Sequence, residues 1–187
     1  MENFKILGLD LAGSPKRKTG YAYLENGKLQ VGVLFQDEDI LNLAKNFKLV
    51  MIDAPLSLPE GRLSLEEIGP HFRECDIKLR EMGIKFFPLT LGPMRMLTKR
   101  AISIKDTLSK EGIHSIETFP GGLYDIYKVN RKEKDAIKNL YKKLGFYLEE
   151  RDYFQDELDA VACLISGIRY VSSKAIILDG KDGLIVI

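Results

Sequence analysis

Five acidic residues of this 187-residue chain follow or begin apolar segments. Asp10 ends the run ILGLD, Asp53 follows VMI, and Glu117 follows SI; Asp156 and Asp159 lie three residues apart in DELDAVACLISG. Carboxylates at the ends of buried segments are costly unless positive charge meets them. Several carboxylates that converge provide the oxygen ligands that hard divalent cations need. The pattern therefore predicts metal-assisted phosphodiester chemistry.

Strands and one helix must position these side chains. Short apolar runs predict strands over residues 4–10, 20–24, 29–35, 49–52 and 115–118. The turn Asn26-Gly27 is a strong hairpin signal, so the first three strands form an antiparallel meander. If the strands that end at Asp10, Asp53 and Glu117 are parallel, their carboxyl ends share one edge of the sheet. A helix over 156–171 presents Asp156 and Asp159 on one face, in the first turn.

The other elements complete an α/β fold. The sequence predicts a helix over 37–47 with Asp37 as its N-cap, and a hairpin closing the chain around 179–183. Further helices are predicted over 63–82, 94–110, 123–129 and 132–144. The order of these elements is that of an RNase H-like fold. It predicts one domain over residues 1–187, with a mixed five-stranded sheet, flanking helices and a helical insertion between the fourth and fifth strands, approximately residues 56–112.

The predicted chemistry uses two Mg²⁺ or Mn²⁺ ions about 3.5–4 Å apart, which activate a water and stabilise the leaving oxygen of a phosphodiester. Asp10 is predicted to bridge both ions, and Asp53 and Glu117 to complete the shell of one. Asp159, with Asp156, is predicted to hold the other ion and to orient the water. Each carboxylate alone also fits a turn or a helix cap, and Asp156 fits a cap of the last helix. The metal-site hypothesis therefore rests on the occurrence of all five carboxylates together.

Four residues are predicted to contact substrate. Lys18 ends the flexible turn 13–18 and Thr19 follows it; this turn could approach a phosphate or could be only a hairpin connection. Arg73 and Arg80 are at helical spacing and could donate two hydrogen bonds each to phosphate oxygens. A surface face of ion pairs is the alternative interpretation of these two arginines.

Composition limits the kind of partner. Lys and Arg together number 28 against 27 Asp and Glu, a net charge of +1. A large nonspecific nucleic-acid surface needs more basic charge, so any contact with DNA or RNA should be local. No apolar run reaches the roughly 18 residues of a membrane span, and the N-terminus lacks the pattern of a signal peptide. With only two cysteines, far apart, these features predict a cytoplasmic protein with no membrane partner.

Five segments carry a family resemblance: LGLDLAGSPKRKTGYA, MIDAPLSLP, RECDIKLREMGI, IETFPGGLY and DELDAVACLISG. They resemble a domain-of-unknown-function family of predicted RNase H-like nucleases over nearly the whole chain. The helix start DELDA is also similar to the last motif of RuvC-type junction resolvases. Asp10, Asp53, Asp156 and Asp159 match the RuvC-like acidic pattern, whereas Glu117 belongs to the first family's own pattern. The resemblance implies a metal-dependent nuclease acting on DNA or RNA.

Two other functional classes share these features. Actin-like ATPases and sugar kinases have the same fold core, and the segment after Asp10 faintly resembles their first phosphate loop. Phosphoryl transfer in those proteins uses a second copy of the core, for which 187 residues are too few. A noncatalytic nucleic-acid-binding module is the other alternative. The carboxylates argue against it, because retaining them without a cation is expensive. The sequence does not distinguish DNA from RNA as the substrate, and it does not give the oligomeric state.

Overall fold

A computed structural model describes residues 5–187. Its strands form one seven-stranded mixed sheet in the order β3-β2-β1-β4-β5-β7-β6. In chain order they are β1 (Ile6–Asp10), β2 (Thr19–Glu25), β3 (Lys28–Leu34), β4 (Leu49–Ile52), β5 (His114–Thr118), β6 (Ile177–Gly180) and β7 (Gly183–Val186). Strands β1, β4, β5 and β7 run parallel, and β2, β3 and β6 are antiparallel to their neighbours.

Within residues 5–187, six helices flank the sheet. They are α1 (Asp37–Ala44), α2 (Glu74–Glu81), α3 (Gly92–Lys110), α4 (Pro120–Ile126), α5 (Lys134–Lys143) and α6 (Gln155–Val171). No helix of residues 5–187 is long and apolar enough to span a bilayer.

The central strands are buried on both faces because helices cover each side. Along β4, Met51 belongs to the core under α6, and Val50 and Ile52 belong to the core under α1 and α3. The alternation of side chains along a strand produces this division. Helix α6 packs on β1 and β2 and carries ten buried residues, so it is the main support of one face.

Several predicted elements differ from the structure. The closing hairpin forms β6 and β7, and β7 pairs with β5, so the sheet has seven strands instead of five. Only Glu74–Glu81 of the helix predicted over 63–82 is helical, because residues 58–73 form turns and extended backbone punctuated by Pro and Gly. The first residue of the predicted strand 4–10 lies outside the described residues. The N-cap of α1 is Gln36, and Asp37 instead pairs with Arg100 at 2.7 Å.

Candidate functional site

Three of the predicted acidic residues lie at the carboxyl ends of adjacent parallel strands. Asp10 is the last residue of β1, and Asp53 directly follows β4, where its N–H donates to Leu9 O at 2.8 Å. In the next pair Ile52 is opposite Glu117 of β5. The register therefore places Asp10 and Asp53 at one level and Glu117 one residue earlier on the next strand, all at the edge of the sheet where ligand sites of open α/β sheets lie.

Two glycines let helix α6 approach these strand ends. A Cβ at Gly8 of β1 would lie 2.3 Å from Ala160 O, and a Cβ at Gly20 of β2 would lie 1.9 Å from Asp156 O. Neither distance is possible for any residue with a side chain, so the helix backbone rests directly on the sheet. Since Gly20 is opposite Asp10 in the β1–β2 pair, this contact sets the start of α6 beside Asp10.

We expect Gly20→Ala to lower the free energy of unfolding by about 1 to 3 kcal/mol, or more, because the added methyl group meets the backbone of α6. The start of α6 must shift, which moves Asp156 and Asp159 away from Asp10. Urea denaturation measures the loss. Gly13→Ala is the matched control, since its Cβ would meet nothing closer than 3.5 Å. Equal stability of the two variants would contradict the close packing of α6.

The carboxyl groups of Asp10 and Asp53 are neighbours, and each affects the pKa of the other. Each side chain is only partly accessible and lines a cavity. Burial raises the pKa of Asp10 well above its usual range, and the charges of Asp53, Asp159 and Asp156 raise it further. Burial likewise raises the pKa of Asp53, with Asp159 and Glu117 adding to the effect. The five predicted carboxylates therefore lie close enough to repel one another.

Asp159 is oriented by two neighbouring side chains. The hydroxyl of Tyr124 donates to its Oδ1 at 2.6 Å, and Gln155 Nε2 donates to the same oxygen at 2.8 Å. The buried Tyr141 hydroxyl lies 2.8 Å from that of Tyr124 and donates to Leu158 O. These contacts hold both tyrosine hydroxyls in place. Burial raises the pKa of Asp159 to about 6, although both hydrogen bonds oppose the rise. Neither bond engages Oδ2, so this oxygen is left for another partner.

Asp156 is not the N-cap of α6. The cap residue is Phe154, whose N–H donates to Glu157 Oε2 at 2.9 Å. Asp156 follows in the first turn, where the helix dipole favours a carboxylate. Glu157 therefore supplies the acceptor that caps the start of α6. The carboxylate of Asp156 is not needed as a cap and remains available near the edge of the sheet.

Glu117 is held by an ion pair. Arg73 Nη1 and Nη2 donate to its two oxygens at 2.6 and 2.7 Å, and Leu56 N donates to Oε2 at 2.9 Å. The remaining N–H groups of Arg73 donate to Asp76 and Ser57, and Arg73 is 1% exposed. Burial raises the pKa of Glu117, and Arg73 opposes the rise. All five N–H groups of Arg73 are engaged, so these contacts do not support a direct phosphate contact by Arg73.

The other predicted substrate residues have different surroundings. Thr19 is buried and its Oγ1 accepts a hydrogen bond from Ala12 N, so it fixes the turn and presents no polar group to a substrate. Lys18 is half-buried with Nζ 4.2 Å from the ring centre of Phe154 at the start of α6. Arg80 is exposed, and its guanidinium lies 4.9 Å from the ring centre of Phe72. Lys18 and Arg80 remain predicted substrate contacts.

The carboxylate oxygens of the predicted acidic residues are suitable ligands for a hard divalent cation, but they are not already arranged as a metal site. Within residues 5–187 no group of three or more His, Cys, Asp and Glu side chains is arranged to hold a metal ion. Asp10 and Asp53 nevertheless lie close together, and burial together with repulsion between carboxylates opposes their ionisation. A divalent cation would offset this repulsion, because carboxylate oxygens are its preferred ligands. Asp159, with a free Oδ2, is a further donor whose charge acts on both residues.

A cavity of about 790 Å³ opens from Asp10 and Asp53. Arg131 also lines it, and its guanidinium donates to Asp125 and to Lys85 O. Sequence reasoning did not select Arg131 or Tyr124. Tyr124 is the last residue of the segment IETFPGGLY and Arg131 lies outside the quoted segments, and only their three-dimensional contacts connect them with the acidic residues.

The chain was compared with known proteins. No protein-family model matches it, and no curated protein matches it by sequence. Among solved structures, the crystal structure of the yeast mitochondrial Holliday junction resolvase Ydc2 is similar, with a TM-score of 0.48 and 14% sequence identity. The alignment covers 92% of this chain and 80% of that chain. A likeness at this level does not establish a shared activity.

Proposed function

We propose that the chain is a metal-dependent nuclease that hydrolyses phosphodiester bonds in DNA or RNA. One observation carries the proposal: Asp10 and Asp53 line an open cavity and lie close to Asp159, and burial and repulsion between carboxylates raise the pKa values of all three. Such an arrangement is costly for a protein unless a cation or a reaction uses it. The Lys and Arg residues near the cavity supply local contacts for phosphates.

Asp10 and Asp53 would hold one divalent cation, and Asp10 with Asp156 and Asp159 a second. Bound there, Mg²⁺ or Mn²⁺ would supply the Lewis acidity that activates water and neutralises charge on the leaving oxygen. Asp159 Oδ2 would accept a hydrogen bond from the attacking water, because Tyr124 and Gln155 hold Oδ1. Glu117 would act as a positioning residue, since Arg73 occupies both of its oxygens.

The same proposal includes the fold family. The order β3-β2-β1-β4-β5, with an antiparallel meander followed by parallel strands, is that expected for an RNase H-like domain spanning the chain. The segment of approximately residues 56–112, which contains α2 and α3, would be its helical insertion between the fourth and fifth strands. The resemblance of the acidic segments to predicted RNase H-like nucleases and to RuvC-type resolvases supports the same assignment.

The experiment that tests the function is a cleavage screen on single-stranded, duplex and branched DNA and RNA, with Mg²⁺, Mn²⁺ or EDTA. We expect products with either cation and none in EDTA. Asp10→Asn should remove cleavage while retaining the fold, because Asn preserves the shape of the side chain and removes its charge.

Asp106→Asn is the matched control, since Asp106 is an exposed carboxylate of α3 outside the cavity. It should cleave like the wild type. Full activity in Asp10→Asn, or cleavage that continues in EDTA, would overturn the proposal.

A further inference from the structure

The cavity beside the carboxylates has two chemically different parts. One part of its lining is the carboxylates of Asp10 and Asp53, and the other is apolar, formed by Ile84, Phe86, Leu89, Met94, Leu97 and Phe119. A metal site alone needs only the carboxylates. The apolar lining therefore indicates that the cavity also receives a flat or hydrophobic group attached to the reacting phosphate.

The volume decides what kind of group fits. At about 790 Å³ the cavity lies in the range of roughly 300–1,000 Å³ that is typical of small-molecule pockets. One nucleotide is an occupant of that size. A base that remains paired and stacked inside a duplex cannot enter such a pocket, since it must first leave the stack.

Aromatic side chains supply the surface on which a base can stack. Phe87 lines the cavity and is 78% exposed, so its ring is available to a ligand. Phe86, next to it, is half-buried and fixed edge-on against Phe72, with ring centres 6.2 Å apart. Bases of any sequence stack on an aromatic ring, because every base has a π-face.

Basic side chains also line the cavity. Arg80 and Lys85 are exposed cavity residues, and Arg131 lies with its guanidinium 5.2 Å from the ring centre of Phe119. The lining thus combines carboxylate, apolar and basic side chains. This combination matches a nucleotide whose base contacts the apolar side chains and whose neighbouring phosphates meet the basic ones.

We propose that this cavity binds an unpaired nucleobase next to the scissile phosphate, so that the substrate is a nucleic-acid strand with an unpaired nucleotide at the cleavage position. The inference rests on the proposed nuclease function and adds the class of substrate. Phe87 is the stacking residue, and Arg80 and Lys85 contact the flanking phosphates. Duplex without an unpaired nucleotide binds the same surface more weakly, because opening the base pair costs free energy.

The test measures binding without cleavage. A short strand of DNA or RNA with one 2-aminopurine is titrated with the wild-type protein in EDTA, and the same strand is titrated as a duplex. We expect single-strand binding that is tighter than duplex binding and that changes the 2-aminopurine fluorescence. Phe87→Ala should weaken single-strand binding about tenfold, in the range measured for loss of one base–aromatic stack.

Two control variants show whether the effect on binding comes from the aromatic ring in the cavity. Phe87→Trp retains an aromatic ring and should bind like the wild type. Tyr147→Ala removes an exposed aromatic ring outside the cavity and should change nothing. Since stacking is not electrostatic, the Phe87→Ala loss should be equal at low and high salt, whereas Lys85→Ala should flatten the salt dependence.

The two proposals fail in different ways. Equal affinity for single strand and duplex, with no effect of Phe87→Ala, overturns the base pocket even when metal-dependent cleavage is observed. Fluorescence binding that depends on Phe87, without cleavage under any metal condition, supports the pocket and overturns the nuclease assignment.

Discussion

Arg73→Met is expected to lower the free energy of unfolding by about 3 to 5 kcal/mol. The guanidinium is 1% exposed and forms ion pairs with both Glu117 and Asp76 at 2.6 and 2.8 Å. Removing it leaves two buried carboxylates without a counter-charge, and neither can be solvated in place. Urea denaturation measures the loss, which is a large fraction of the total of about 5–15 kcal/mol typical of a domain.

Further variants distinguish lost charge compensation from lost packing. Arg73→Lys should also be strongly destabilised, because one ammonium group cannot make the paired hydrogen bonds of a guanidinium. Arg73→Met combined with Glu117→Gln should recover part of the loss, since the orphaned charge is removed. Lys138→Met, which breaks the exposed pair with Asp135, should leave stability unchanged. If Arg73→Met unfolds like the wild type, the network around Glu117 is not what holds β5 to α2.

The placement of the strand-end carboxylates followed directly from the sequence, because parallel strands share their carboxyl edge. Asp10, Asp53 and Glu117 lie there as the apolar runs predicted. The partner of Glu117 could not be predicted in this way. Arg73 lies 44 residues earlier, at the N-cap of α2, and the pairing depends on how that segment folds back over β5.

The fold was predictable where the periodicity was strong. Helix α6 begins at Gln155, one residue from the predicted start, because its apolar face is continuous. The helix predicted over 63–82 is absent from its first half. The charged residues there fit a helix by propensity, but Pro70 and the hydrogen bonds of Arg62 to backbone carbonyls hold that part in turns. Tertiary contacts overrode local preference there.

The shape of the cavity was not predictable from the sequence. Residues of the segment 79–97, the end of β5 and Arg131 line it, and no periodicity links positions so far apart. Tyr124 likewise meets Asp159 only because α4 packs against α6. Sequence patterns identify the chemical groups, whereas packing of distant segments determines which groups share a cavity.

Asp10→Asn is expected to raise the free energy of unfolding in EDTA by about 1 to 3 kcal/mol at neutral pH. Burial and the neighbouring carboxylates raise the pKa of Asp10, so folding with a charged carboxylate at this position costs free energy. An Asn amide has nearly the same shape as the carboxyl and carries no charge, so it avoids this cost. Thermal unfolding followed by circular dichroism measures the gain.

The pH dependence has a defined sign. A carboxyl whose pKa is raised by folding contributes stability that is fully present below its unfolded pKa and is lost as the pH rises through its folded pKa. For Asp159 that window extends from about 3.8 to about 6, and for Asp10 and Asp53 it extends from about 3.8 to their own raised pKa values. In EDTA the wild-type melting temperature should therefore fall as the pH rises, and that of Asp10→Asn should fall less.

Divalent cations connect this stability cost to the proposed function. Mg²⁺ or Mn²⁺ should raise the melting temperature of the wild type at pH 8, since a ligand that binds only the folded state stabilises it. The same cations should have little effect on Asp10→Asn, which lacks one ligand and much of the repulsion. Asp106→Asn should respond like the wild type in both conditions. If Asp10→Asn melts at a lower temperature than the wild type in EDTA, the Asp10 carboxylate stabilises the fold. The acidic cluster would then have a structural role and would not be a cation-binding site.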